Sequence, residues 1–318
     1  METVSGAGSG EERMVRIALE APEAMALTRA GGAGYTNSAK GGVTNVDRTK
    51  YDLRYKLAVY DAKGNTVVVE PMTQTVKGAG TNATTFDVAL VEGQEYKFVA
   101  WADFVTAGST DDLHYNTANL TAISCKDKAD KQLNDESRDA YFVTKNLTVN
   151  AAQGVSLTLR RPFAKVRVVA SDVKMAGTDM PDNFKITYYG CQRFTSLNAI
   201  TGVATGSKLN DNESTAYTAK LANTTEKDYT EDYDAKDGFR TLTVDYLLAE
   251  TDNQTEIHFK WEALKGTSSV YTYDCTTDIP IQRNFLTTIF GNMLTGKTGV
   301  AVSVVCDEIF EGEFKDME

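Results

Sequence analysis

The sequence predicts an all-β protein built as sandwiches, and three observations carry that prediction. Short segments alternate apolar and polar residues along most of the chain, turn signals separate them, and the composition favours Tyr, Thr and Val over Leu-rich amphipathic stretches. The chain has 318 residues, 42% of them apolar, which is enough for a core in each of two domains.

The first alternating segment, residues 15–21 (VRIALEA), sets Val15, Ile17 and Leu19 on one face. In residues 52–61 (DLRYKLAVYD), Leu53, Tyr55, Leu57 and Val59 share a face. Asp61-Ala62-Lys63-Gly64-Asn65 then leads into residues 66–70 (TVVVE) as a hairpin loop would, because Gly and Asn accept the positive φ of such turns. KFVAW (97–101) and SLTLR (156–160) continue the alternation. Pro162, within LTLRRPFAKVRVVA (157–170), cannot donate to a ladder and holds its neighbour extended, so it separates two strands with no helix between them. The chain is therefore expected to divide near Arg161, into an N-terminal sandwich of residues 1–160 and a C-terminal one of residues 161–318. Residues 202–238, rich in Asn, Asp, Thr and Lys, read as a loop system.

Residues 279–296 (IPIQRNFLTTIFGNMLTG) carry two periods. Ile281, Phe285, Ile289 and Met293 recur every four residues, yet Phe285, Thr287 and Ile289 alternate. The β-branched run Thr287-Thr288-Ile289, the early Gly291-Asn292 and the lack of an N-cap near Pro280 favour a strand. GKTG (296–299) then turns into VAVSVVCDEIF (300–310), where Val300, Val302 and Val304 alternate with Ala301, Ser303 and Val305, so the two segments are expected to pair as a C-terminal hairpin. No helix longer than about three turns is expected.

The charge balance narrows the partners. With 33 Lys plus Arg against 44 Asp plus Glu, the net charge of −11 repels a phosphate backbone, so nucleic acid is not expected as a partner. No apolar run approaches a membrane span, and the chain opens on a Gly/Ser-rich stretch (SGAGSGEE) instead of an export signal. Either the protein is cytosolic or a leader was removed. Cys125, Cys191, Cys275 and Cys306 form no CxxC pair; they read as free thiols, or as including one disulfide in an oxidising compartment.

The motifs that would carry chemistry fail their spacing tests. GVATGSK (202–208) has three residues between its glycines where a phosphate loop needs four. DYDAKDGF (232–239) puts Asp232, Asp234 and Asp237 before Gly238 one residue out of register for a calcium loop, with Thr243 in place of the bidentate Glu. His114 and His258, the only histidines, lie far apart with no nucleophile motif beside them, so surface or structural roles are expected. A carboxylate pair for glycoside hydrolysis has no sequence spacing of its own and no positive support here. The reading is of a protein that is not an enzyme, with no catalytic, cofactor-binding or metal-binding residues and no cofactor.

Four motifs in order, YKFVAWADF (96–104), DAYFV (139–143), LRRPFAKVRV (159–168) and IPIQRNFLTTIFGNMLT (279–295), resemble the fimbrillin-type surface proteins of Bacteroidales, the FimA/Mfa superfamily of type V pilins. The resemblance implies two tandem transthyretin-like β-sandwiches, exported as a lipoprotein to the outer membrane surface and built into a fimbria that contributes to adhesion. The signal and lipidated Cys would precede residue 1, METVSGAGSGEE (1–12) would be a tether, and that N-terminal lipid anchor would be the only membrane contact. It also implies assembly by donor-strand exchange. In polymerising members a trypsin-like protease cuts after an Arg, the first strand is lost, and the groove accepts a strand from the next subunit. Here Arg29 precedes Ala30-Gly31-Gly32 in a small-residue segment open to a protease, marking Arg29 and Ala30 as the processing site.

The strand upstream, with Val15, Ile17 and Leu19 inward, would then be removable. Three or four buried side chains at ~1.5 to 3 kcal/mol each come to roughly 5 to 10 kcal/mol, comparable with a domain's net stability, so its loss would leave a groove that demands a replacement. The partners implied are other fimbrial subunits, self or related, a processing protease, and a host protein or glycan. Two further function classes are a monomeric surface lipoprotein that binds glycan or host protein, through aromatics such as Tyr188 and Tyr189 or the 202–238 insertion, and a secreted hydrolase.

Overall fold

The computed structural model describes residues 11–22, 46–78, 82–126, 133–150, 154–172, 180–190, 194–206, 216–220, 240–295 and 303–308. The regular elements among them are strands, apart from a three-residue 3-10 turn at Glu136–Arg138.

In the N-terminal half, β1 (Glu12–Glu20) lies between β4 (Ala83–Val91), antiparallel to it, and β9 (Val155–Thr158), parallel to it. A second sheet runs β3-β2-β5-β8, formed by β2 (Tyr51–Asp61), β3 (Val67–Val76), β5 (Glu95–Thr106) and β8 (Ala140–Thr148). The two sheets share a core that includes Ile17, Leu19, Leu53, Tyr55, Phe98 and Leu157. The β2–β3 hairpin turns where the sequence places it. Gly64 takes the positive φ of 79° while Asn65 does not, and the Asn65 N–H donates to the Asp61 carboxylate at 2.9 Å.

The C-terminal half repeats this topology. Here β10 (Phe163–Ala170) lies between β15 (Arg240–Leu248), antiparallel, and β18 (Phe285–Gly291), parallel. The second sheet runs β14-β11-β16-β17, from β11 (Asn183–Tyr189), β14 (Ala216–Lys220), β16 (Thr255–Lys265) and β17 (Ser268–Ile281). Thus β10 stands where β1 stands in the first half. Trp261 fills this core, stacked on Phe184 at 5.1 Å, with its indole N–H donated to the Met293 carbonyl at 2.8 Å.

The strand reading of the 279–296 segment holds. Asn284, at φ 66°, makes the turn that ends β17, and Phe285 starts β18. β18 also pairs antiparallel with β19 (Ser303–Glu308), from Phe285 opposite Glu308 to Phe290 opposite Ser303, which is the expected C-terminal hairpin. Residues 296–302, with Val300 and Val302, lie outside the described residues.

A third core joins the halves. Trp101, Tyr115 and Phe142 from the first pack with Phe163, Leu197 and Tyr246 from the second. Beside it a small sheet, order β13-β12-β7-β6, draws β6 (Tyr115–Asn116) and β7 (Ile123–Cys125) from one half and β12 (Ser196–Asn198) and β13 (Val203–Thr205) from the other. Ion pairs, buried or part-buried, line the junction. Arg161 meets Asp139 at 2.6 Å, and Lys165 meets Glu136 at 2.9 Å. Arg283 of the Gln-Arg-Asn turn donates to the carbonyls of Ala249, Gly202 and Glu250.

Candidate functional site: the seam around the first strand

Nine residues of β1 pair with β4, from Glu12 opposite Val91 to Glu20 opposite Ala83. Four pair with β9, from Ile17 opposite Val155 to Glu20 opposite Thr158. With both edges engaged, β1 is the middle strand of its sheet, paired on both sides over Ile17–Glu20 and with β4 alone over Glu12–Arg16. Its period of two puts Val15, Ile17 and Leu19 in the core, Ile17 and Leu19 fully buried, while Met14 on the opposite face is 67% exposed.

The ends of the strand are fastened separately. The Ala21 N–H donates to the Asn82 carbonyl at 2.9 Å, an oxygen that also accepts the Tyr55 hydroxyl from the facing sheet. The Leu159 N–H donates to the Glu20 carbonyl at 2.8 Å, and the Glu92 N–H to the Glu11 carbonyl at 3.2 Å. On the outer face Arg16 donates to both oxygens of Asp87, at 3.0 and 3.3 Å, across directly paired positions. That hydrogen bond, more than the attraction of the charges, holds the Asp87 carboxyl below its ordinary range. Arg13 reaches Glu92 at 2.9 Å. Sequence periodicity finds the inward residues of this seam but not Arg16–Asp87, because the partners are 71 residues apart and share no local pattern.

Arg29 and Ala30 lie outside the described residues, as do Cys191 and the acidic stretch Asp232, Asp234, Asp237 and Gly238. Thr243 is buried in β15. Cys275 is a buried free thiol, and Cys125 is half-buried. Tyr188 is a correction: it is 3% exposed and belongs to the core, because its position on β11 turns it inward with Phe184 and Ile186.

Its neighbour Tyr189 faces outward. Its hydroxyl donates to Asp274, and its ring meets His258 edge-on at 5.4 Å; burial first, then the Asp274 bond, push its phenol up to about 12. His258 is tied to Asp278 at 2.7 Å, and His114 to Ser137 at 2.8 Å. Among the described residues no group of His, Cys, Asp and Glu could hold a metal ion, and no helix is long and apolar enough to cross a membrane.

The family of unknown function DUF6562 matches residues 7–318. The chain belongs to this family. No curated protein matches this DUF6562 chain. Among solved structures it is similar to a candidate cell adhesion protein from Bacteroides ovatus ATCC 8483, at 13% identity and a TM-score of 0.47, over 96% of this chain and 100% of that one. It is also similar to the tip fimbrial protein Mfa3 from Porphyromonas gingivalis, with C-terminal truncation, at 12% identity and 0.47, over 92% and 99%. The fimbrial anchor protein Mfa2 from the same organism is similar at 11% and 0.41, over 92% and 97%.

Proposed function

We propose that this protein is a subunit of a cell-surface fimbria, stalk or tip, that contributes to adhesion and is assembled by protease-triggered donor-strand exchange. In this reading residues 1–160 and 161–318 are two domains, cleavage between Arg29 and Ala30 frees β1, and a strand from another subunit takes its place. One observation carries the reading: β1, which precedes Arg29 in the sequence, is clasped along its β4 edge and over Ile17–Glu20 on its β9 edge, and it supplies one wall of a core. Such a strand is separable in sequence yet indispensable in packing, so its loss leaves both a row of unpaired backbone groups and an apolar groove.

Limited trypsin treatment followed by gel filtration and denaturing electrophoresis tests this. The expected result is release of the N-terminal piece and formation of higher-order ladders, alone or with a partner subunit, both blocked by Arg29→Ala. A cut chain that stays monomeric and folded at high concentration, with its C-terminus complete and related subunits present, overturns the reading.

A further inference from the structure

The inward face of β1 tells one sheet face from the other but leaves one two-residue slip only weakly opposed. A slip of one residue turns Val15, Ile17 and Leu19 outward and is excluded by the core. A slip of two in one direction brings the charged Arg13 to the buried place of Val15 and is resisted by the core; in the other it brings Ile17, Leu19 and Ala21 beside Val88, Phe86 and Thr84, which keeps aliphatic side chains inward at the cost of a smaller one. The outer face discriminates against that second slip. Its residues run Glu12, Met14, Arg16, Ala18 and Glu20, with a single cation, and that cation stands directly opposite Asp87 in bidentate contact. A slip of two presents Met14 or Ala18 to Asp87, and a slip of four presents a glutamate.

The same residue is gripped from the other side. A Cβ on Gly154, just ahead of β9, would stand 3.2 Å from the Arg16 carbonyl oxygen, so glycine lets the chain close up at this position.

We infer that Asp87 is a specificity-determining residue of the seam, setting the register of any strand that lies between β4 and β9 and selecting one with Lys or Arg flanked by inward apolar residues. The occupant it fits is a strand of another subunit with that pattern. This inference rests on the strand-replacement reading proposed above.

The test uses the full chain nicked after Arg29 and a labelled synthetic peptide of residues 11–22. A Thr85→Cys protein and an Ala18→Cys peptide report register, since these two positions pair in the seam. The expected result is uptake in that register, weakened several-fold to roughly tenfold by Arg16→Glu in the peptide, as for an exposed ion pair turned repulsive. Asp87→Lys in the protein should reverse the preference. If no peptide enters the nicked seam, strand replacement itself fails. If peptides enter equally whatever the charge at position 16, and Asp87→Lys changes nothing, replacement stands and the role given to Asp87 is wrong.

Discussion

Arg138 donates its Nη1 proton to Asp245 Oδ1 at 2.6 Å, joining residues 107 apart, one from the 3-10 turn of the first half and one from β15 of the second. Asp245 is 1% exposed and Arg138 8%. Breaking a buried pair from one side strands the remaining charge, whereas replacing both partners removes the desolvation cost together with the attraction.

Arg138→Ala and Asp245→Ala are therefore each expected to cost about 3–5 kcal/mol in urea unfolding, and Arg138→Met with Asp245→Leu much less than the sum. Since the pair ties the halves, the single variants should also split one unfolding transition into two. Additive losses in the double variant would show that the pair is not coupled.

Two residues of β1 three positions apart should behave oppositely. Ile17 is fully buried and Met14 is 67% exposed. Ile17→Ala is expected to cost about 2–5 kcal/mol, and Met14→Ala to stay within about 0.5 kcal/mol, both by chemical denaturation of the uncut chain. Equal effects would mean that the inward face of β1 is not what holds it.

The seam should loosen in acid. Asp87 lies below its ordinary value because Arg16 hydrogen-bonds it in the fold. A depressed carboxylate contributes stability that is fully present above the unfolded pKa of about 3.9 and lost as pH falls through the lower folded value. Amide exchange across β1, corrected for its intrinsic pH dependence, should therefore accelerate below about pH 4, and less so in Asp87→Asn. An identical acid response in that variant would assign the effect to other groups.

Gly64 couples the β2–β3 turn to the second half. Its φ is 79°, and a Cβ there would come within 2.7 Å of Ile200 Cγ2. Gly64→Ala is expected to cost about 1–3 kcal/mol from left-handed strain plus the clash. In an Ile200→Ala background the clash is relieved and only the strain should remain, so an undiminished cost there would rule out the contact with Ile200.

The parts of this protein legible in the sequence are those whose physics is local. Side chains alternate across a strand every two residues, so Val15, Ile17 and Leu19 could be read as one face before any neighbour was known, and they are buried. Turn chemistry is equally short-ranged, which is why the β2–β3 hairpin could be anticipated, and the alternation of Phe285, Thr287 and Ile289 with the β-branched run Thr287-Thr288-Ile289 did the same for the strand after Asn284.

Neighbourhood, by contrast, was decided by tertiary structure alone. The alternation in β2 predicts one wet face, but Ala58 and Tyr60 on the other face are buried too, because the second half of the chain covers them. Tyr188 and Tyr189 are equal as letters; only the placement of β11 over its core sends one inward and leaves the other beside His258. Arg16 and Asp87 meet across 71 residues because β1 pairs antiparallel with β4 in the register that sets them opposite each other. An ion pair between distant strands has no period and no spacing of its own, so it comes into being only when the sheet closes.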